Sequence, residues 1–368
     1  MILDNMVQLS ICIPTYNRST YLAETLQKCI SDIEDENLHS TVEILVGDNA
    51  SSDDTEGVCL TLENKHQYIH YVKNKENIGA ERNWLNLISL AQGHYVWILS
   101  DDDDFLPGLV ADILKITDKA DYSVIHLNYT FFEGADKNIT FGRRNHETVD
   151  YAGRGWQSFF EKTNFSSSFI SSNIFSRDNF IANLTSIEPY KANPWFQLYV
   201  VKNIINDKAY YCYSALKLKM RALTVEESRR EKHVGGSLHF YFNAHVAFIE
   251  FLVYINWKNS DFRNRMISEQ FFQIFSEKTT WRENVGSEDY HYWILMIQKL
   301  ISIGYFNSSI IFWCRDVLVM LLPTPFAVLI KYYYTSKHKL GNWLRACESS
   351  HSSFKKAIFS IYSKYNKN

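Results

Sequence analysis

Nowhere in the 368 residues is there a CxxC pair or a Cys/His grouping at zinc-ligand spacing. The six cysteines (Cys12, Cys29, Cys59, Cys212, Cys314 and Cys347) are scattered, which argues against a zinc site and for a reducing compartment. Both GxGxxG and GxxxxGK[ST] are absent. Neither a dinucleotide fingerprint nor a P-loop is therefore available to bind a nucleotide. A formal net charge of −3 gives no overall attraction for nucleic acid, so none is expected as a partner. No basic stretch precedes an apolar run at the N-terminus, so no signal peptide is expected and the location is expected to be cytoplasmic. The strongly apolar stretch 317–330 is fourteen residues long and contains Pro323 and Pro325, too short to span a bilayer.

What is present is an alternation. Apolar runs at 9–14, 42–47, 68–72 and 95–99 read as strands, and 18–31, 55–64 and 80–92 read as helices between them. That order predicts a parallel sheet with helices on its faces. The fourth strand runs straight into Ser100, Asp101, Asp102, Asp103 and Asp104. An isolated acidic run is ordinarily a solvated turn. In an open parallel sheet, however, ligands sit beyond the carboxyl ends of the strands. Polar clusters follow all four strands there: 15–18, Asp48, 77–83 and 101–104. A carboxylate site that takes Mg²⁺ or Mn²⁺ against a nucleotide diphosphate fits this edge better than four unrelated turns.

The motifs PTYNR (14–18), DNASSDDT (48–55), NIGAERN (77–83) and SDDDDFLPG (100–108) together resemble the ordered motifs of family 2 glycosyltransferases. The resemblance covers about the first 110 residues. It implies an α/β GT-A fold and a metal-dependent transfer of sugar from a nucleotide-diphosphate donor, with a UDP-sugar and Mn²⁺ or Mg²⁺ as the expected ligands. By the same resemblance Pro14, Thr15, Tyr16, Asn17, Arg18, Asp48, Asn77, Gly79 and Arg82 would bind the donor, together with Asp101 and Asp102. Ser100 replaces the first acid of the family's usual pattern, and Asp102 falls on the acid nearest the metal. Asp101 is the second candidate ligand and Asp103 a candidate catalytic carboxylate. This form is similar to the SDDD or GDDD variant of enzymes that build bacterial capsule or O-antigen. Ser51 and Asp53 read as turn-capping residues outside the site.

Beyond residue 110, 122–128 and 169–175 read as strands, 155–162, 177–184 and 194–203 as helices, and 210–213 with 216–220 as the last strand of the catalytic half. Inverting transfer needs a carboxylate to accept the proton of the attacking hydroxyl. Where relatives carry an acidic pair, this chain has Asn193-Pro194-Trp195-Phe196-Gln197. Glu188, the nearest upstream carboxylate, is the candidate base, and Trp195 reads either as a sugar-stacking or as a core residue. The missing pair keeps a second function class open, a nucleotide-sugar-binding protein without turnover. A Mg²⁺-dependent phosphotransferase or hydrolase is disfavoured because no DxDx[TV] motif is present.

The expected domains are 1–225 (nucleotide half 1–110, acceptor half 111–225), a loop at 226–236 and a helical part at 237–368. The loop's Arg229, Arg230 and Lys232 would cover the diphosphate, and His233 would complete a metal shell. Helical spacing recurs at 240–257, 262–275, 289–303 and 308–322. The tail 331–368 carries a net charge of +7 among aromatic residues and leaves −10 for the rest. Such a tail suits an anionic membrane surface or an oligomer contact. The expected acceptor is a saccharide, lipid-linked or free.

Overall fold

The computed structural model describes residues 7–134, 137–138, 140–141, 148–191, 193–222 and seven positions between 247 and 255. Two compact units divide the chain, Met1–Ser237 and Leu238–Asn368. The expected loop at 226–236 with His233, the helices beyond 255 and the basic tail lie outside the described residues. In the second unit, Ala247, Phe248, Phe251, Leu252 and Ile255 are buried, the spacing of one helix face.

The first unit is an α/β layer structure. Strands β1 (Leu9–Thr15), β2 (Val42–Asp48), β3 (Ile69–Lys73) and β4 (Tyr95–Ile98) are connected by α1 (Ser19–Asp35), α2 (Thr55–Glu63) and α3 (Ala80–Leu90). β2 and β4 are buried at every position, which is why they read as continuous apolar runs rather than as alternations. A further nine elements follow: β5 (Asp104–Phe105), α4 (Leu109–Thr117), β6 (Val124–Glu133), β7 (Thr140–Phe141), β8 (Tyr151–Arg154), α5 (Trp156–Thr163), β9 (Asn173–Ser176), α6 (Arg177–Ile187) and α7 (Phe196–Ile205). The last described strand in chain order is β10 (Ala209–Ala222).

The strand order is β3-β2-β1-β4-β9-β6-β10-β5, with β7 beside β6 and β8 beside β10. β3, β2, β1 and β4 are mutually parallel. β9 runs antiparallel to both β4 and β6, so β6 points the same way as β4. β10 is parallel to β6, with a register shift between Tyr213 and Leu218. The carboxyl ends of β1, β2, β4, β6 and β10 therefore share one edge, and the functional side chains gather there.

One element differs from expectation. The stretch 169–175 is not a single strand: two 3-10 turns, Ser166–Ser168 and Ile170–Ser172, precede a strand of only four residues, β9. The cause is local competition for the backbone. Ser172 Oγ donates to the Phe169 carbonyl at 2.7 Å, and Asn173 Nδ2 donates to the carbonyls of Ser167 and Phe169 at 2.8 and 2.9 Å. Apolar character alone could not reveal those bonds. The turns carry Ser168, Phe169 and Ile170 to the functional edge while β9 fills the sheet.

Candidate functional site

The loop after β1 is held by the loop after β2. Asn17, at φ 54°, donates its amide to Ser51 Oγ at 2.9 Å and accepts from the Ser52 amide at 2.8 Å. A short amide side chain tolerates that left-handed backbone better than a branched one would. Asp53 accepts from the amides of Ser19 and Thr55 at 2.8 and 3.2 Å, fastening the starts of α1 and α2 together. Ser51 and Asp53 thus shape the turn. Thr15 Oγ1 then donates to Asp101 Oδ2 at 2.7 Å, and Arg18 Nη1 lies 3.1 Å from both Asp101 Oδ1 and Asp102 Oδ2.

The four aspartates occupy four different environments. Asp101 is buried, and burial raises its carboxyl above the ordinary value, although the Thr15 hydroxyl and Arg18 pull the other way. Asp102 keeps 14% of its side chain exposed and accepts from Ser100 Oγ at 2.7 Å. Asp103 is buried between Ser171 Oγ at 2.7 Å and the Arg221 amide at 3.0 Å. Burial, then the charge of Asp102, pushes its carboxyl up to about 8. Asp104 forms a buried ion pair with Lys219 at 3.0 Å, and Lys28 stands 3.5 Å from its other oxygen. The acidic run is therefore not simply solvated: Arg18, Arg221, Lys219 and Lys28 surround it.

On the β2 side an asparagine network sets the wall. Asn49 Nδ2 donates to Asn77 Oδ1 at 2.8 Å, and Asn74 Nδ2 donates to Asn83 Oδ1 at 2.9 Å. Asn83 Nδ2 reaches the Gly47 carbonyl at 2.6 Å. Gly79, at φ 88°, turns the chain into α3 with a backbone that glycine adopts without strain. Asp48 is completely buried, its oxygens accepting from the Ser51 amide at 2.7 Å and the Tyr71 hydroxyl at 2.6 Å.

A cleft of about 770 Å³ opens over this edge. One half is polar, with Thr15, Arg18, Asn49, Asn83, Ser100 and Asp101 in its wall. The other half is apolar and aromatic, walled by Trp84, Tyr129, Phe131, Phe169, Trp195 and Met220. Tyr129 and Phe131 are two residues apart on β6 and so share a face. Gln197 lines the same half and donates to the Ser168 carbonyl at 2.5 Å.

Among the expected site residues, the structure brings Pro14, Thr15, Tyr16, Arg18 and Asp101 into the cleft wall, with Asp102 adjoining. Trp195 lines the cleft rather than the core. Asn17, Asp48, Asn77 and Gly79 frame the loops behind that wall. Arg82 is exposed on the first turn of α3 and Glu188 on the turn after α6, where Glu188 pairs with Lys191. Neither belongs to the cleft lining, whereas Glu81, unremarked in the sequence, does. Asn49, Asn83 and, apart from Trp195, the aromatic half are likewise not among the expected site residues. The period-2 pattern of β6 was the available signal for Tyr129 and Phe131.

Among the described residues no three or more His, Cys, Asp or Glu side chains cluster as a ready metal shell. The residues nevertheless suit Mg²⁺ or Mn²⁺ in one way. Asp101 and Asp102 are neighbouring hard-oxygen donors that already share a cationic nitrogen, and such ions are commonly held by one or two carboxylates plus phosphate oxygens and water. No described helix is long and apolar enough to cross a membrane.

Residues 10–186 match the family described as Glycosyl transferase family 2. The abequosyltransferase RfbV of Salmonella typhimurium is 45% identical over 96 residues, which is 26% of this chain and 28% of that protein. A Campylobacter jejuni GalNAc(5)-diNAcBac-PP-undecaprenol beta-1,3-glucosyltransferase is 26% identical over 238 residues, 62% of this chain and 72% of its own. In solved structures the fold is similar to residues 1–349 of S. aureus TarS in complex with UDP, at a TM-score of 0.61 and 15% identity over 82% of each chain.

Proposed function

The chain belongs to glycosyl transferase family 2 through residues 10–186, and from that premise we propose that it moves a sugar from a nucleotide-diphosphate donor to a hydroxyl of a saccharide acceptor. The observation that carries this reading is the two-sided cleft, polar at the ends of β1 and β4 and aromatic at the end of β6 and around Trp195. The polar half suits a nucleoside diphosphate. The aromatic half suits the flat apolar faces of sugar rings. A lipid-linked saccharide of a bacterial capsule or O-antigen is the acceptor class we favour; support comes from the undecaprenol-linked substrate in the name of the Campylobacter relative. UDP is the first nucleotide to test, because TarS carries it on the same fold.

In this reading Thr15 and Arg18 hold the donor's diphosphate end, and Asn49 and Asn83 face the nucleoside side. Asp102, with Asp101 behind it, would hold Mg²⁺ or Mn²⁺. A divalent ion bound there supplies Lewis-acid stabilisation of the leaving diphosphate. The acceptor hydroxyl attacks the anomeric carbon with inversion, from the aromatic half, and gives its proton to a carboxylate. Glu188 remains the candidate for that base, and Asp103 for a catalytic role. The loop 226–236 with His233 would close over the diphosphate, and the tail 331–368 would rest on an anionic membrane or another copy of the chain.

Donor binding without turnover is the second reading, and the position of Glu188 outside the cleft lining favours it. Release of nucleoside diphosphate from a donor panel, with saccharide acceptors and Mn²⁺, separates the two. Transfer predicts release by the wild type and its loss in a folded Asp102→Asn variant. Release at the wild-type rate by Asp102→Asn contradicts the role given to Asp102, and no release with any donor returns the second reading.

A further inference from the structure

Among the described residues two carboxylate side chains belong to the cleft wall, Asp101 and Glu81, and they are in opposite states. Asp101 is engaged: it accepts from the Thr15 hydroxyl at 2.7 Å and pairs with Arg18 at 3.1 Å. Glu81 is half-buried on the first turn of α3, and its side chain makes no hydrogen bond or ion pair among the described residues. Its mount is rigid. Two residues on, Asn83 is buried and donates to the Gly47 carbonyl at 2.6 Å. Three residues on, on the same face of the helix, Trp84 packs against Phe180 and Phe196, with ring centres 6.1 and 5.4 Å away. Asn83 belongs to the polar half of the cleft and Trp84 to the aromatic half. The start of α3 thus spans both halves, and Glu81 stands at the seam.

We propose that Glu81 reads the sugar being transferred: its carboxylate accepts hydrogen bonds from hydroxyl groups of the donor sugar and rejects a donor sugar that is itself an anion. The inference rests on the donor-binding reading above and adds a substrate class to it, neutral hydroxylated sugars rather than uronic acids. With the diphosphate in the polar half and the acceptor entering from the aromatic half, the sugar that passes between them lies across the seam. A carboxylate is a pure acceptor with two oxygens, so it can take two sugar hydroxyls at once, and such charge-assisted bonds are stronger than neutral ones. An anionic sugar at the same place meets a like charge, and no described cation is paired with Glu81 to cancel the repulsion. An acid in the first turn of a helix also stabilises that helix end. That role, however, does not depend on which sugar occupies the cleft.

The test is calorimetry on the full chain with Mn²⁺ and three probes: UDP, UDP-glucose and UDP-glucuronate. The two sugars differ only in a hydroxymethyl group against a carboxylate, so the ratio of their affinities reports on charge at the sugar. The wild type should bind UDP-glucose about tenfold more tightly than UDP-glucuronate, the gap narrowing as salt is added. Glu81→Gln keeps the length and one acceptor oxygen, and should shrink the gap to about twofold while UDP itself binds nearly as before. Glu81→Lys should invert the preference. An equal ratio in the wild type and Glu81→Gln, with UDP still bound, overturns the proposal and leaves Glu81 only its place at the helix end. So does a wild type that prefers UDP-glucuronate. Failure of UDP to bind the wild type contradicts the UDP-donor reading itself, so the two failures are told apart by the UDP titration alone.

Discussion

Lys219 and Asp104 give the sharpest forecast about the acidic run, because they separate its structural charge from its working charge. The two side chains lie 3.0 Å apart on neighbouring antiparallel strands, and each is only 6% exposed. Lys219 also donates to the Lys137 carbonyl at 3.0 Å. Replacing Lys219 by Met leaves a buried carboxylate that, among the described residues, faces Lys28 alone, 3.5 Å away and 37% exposed. Breaking a buried pair on one side costs about 3–5 kcal/mol; with Lys28 still compensating, we expect roughly 3 kcal/mol. The double variant Lys219→Met/Asp104→Leu removes both charges and should recover to within about 1 kcal/mol of the wild type. Because two compact units make a single global transition an unsafe assumption, the assay is native-state hydrogen exchange at the Leu106 amide, which bonds the Lys217 carbonyl beside this pair. UDP affinity should be unchanged in both variants, since neither residue lines the cleft. Equal destabilisation in the single and double variants, or a single-variant loss below about 1 kcal/mol, would refute the reasoning.

His126 is completely buried against Ser166 and Asn173, and burial lowers its value from 6.5 to about 4. The unfolded chain therefore takes up a proton below pH 6.5 that the folded chain refuses until about pH 4, so stability is full above 6.5 and falls by about 3 kcal/mol as the pH drops through that window. A His126→Gln variant should flatten this part of a plot of Tm against pH; an unchanged slope would assign the acid sensitivity elsewhere. Trp195→Ala should raise the acceptor KM about fivefold, the worth of one stacking contact near 1 kcal/mol, and leave UDP affinity alone. An equal loss of UDP affinity would move Trp195 to the donor side.

How much was legible in the sequence follows from what each signal depends on. β2 and β4 are covered on both faces, so their apolar runs stood out, and the polar loops at their ends could be placed on one edge by topology alone. The internal division of the acidic run was not legible. Asp101, Asp103 and Asp104 differ through Thr15, Ser171, Arg221 and Lys219, partners up to 118 residues away that no local pattern announces. Asp104, in the sequence just the last acid of the run, is half of a buried ion pair. Asp48 seemed open to a ligand, but the Tyr71 hydroxyl and the Ser51 amide engage its oxygens. The aromatic half of the cleft is assembled from α3, β6, the 3-10 turns, Trp195 and β10, five places in the chain that only the folded sheet brings together.

The claim most open to direct test is that the polar half of the cleft binds a nucleoside diphosphate and that a divalent ion strengthens the binding. Thermal unfolding of the full chain with UDP, GDP, CDP and ADP, each with and without Mn²⁺, measures it in one series. At a hundredfold excess over Kd, one nucleotide should stabilise the protein by about 2.7 kcal/mol, with a visible rise in Tm and a larger rise when Mn²⁺ is present. If no nucleoside diphosphate raises Tm with or without Mn²⁺, the donor site described here is contradicted.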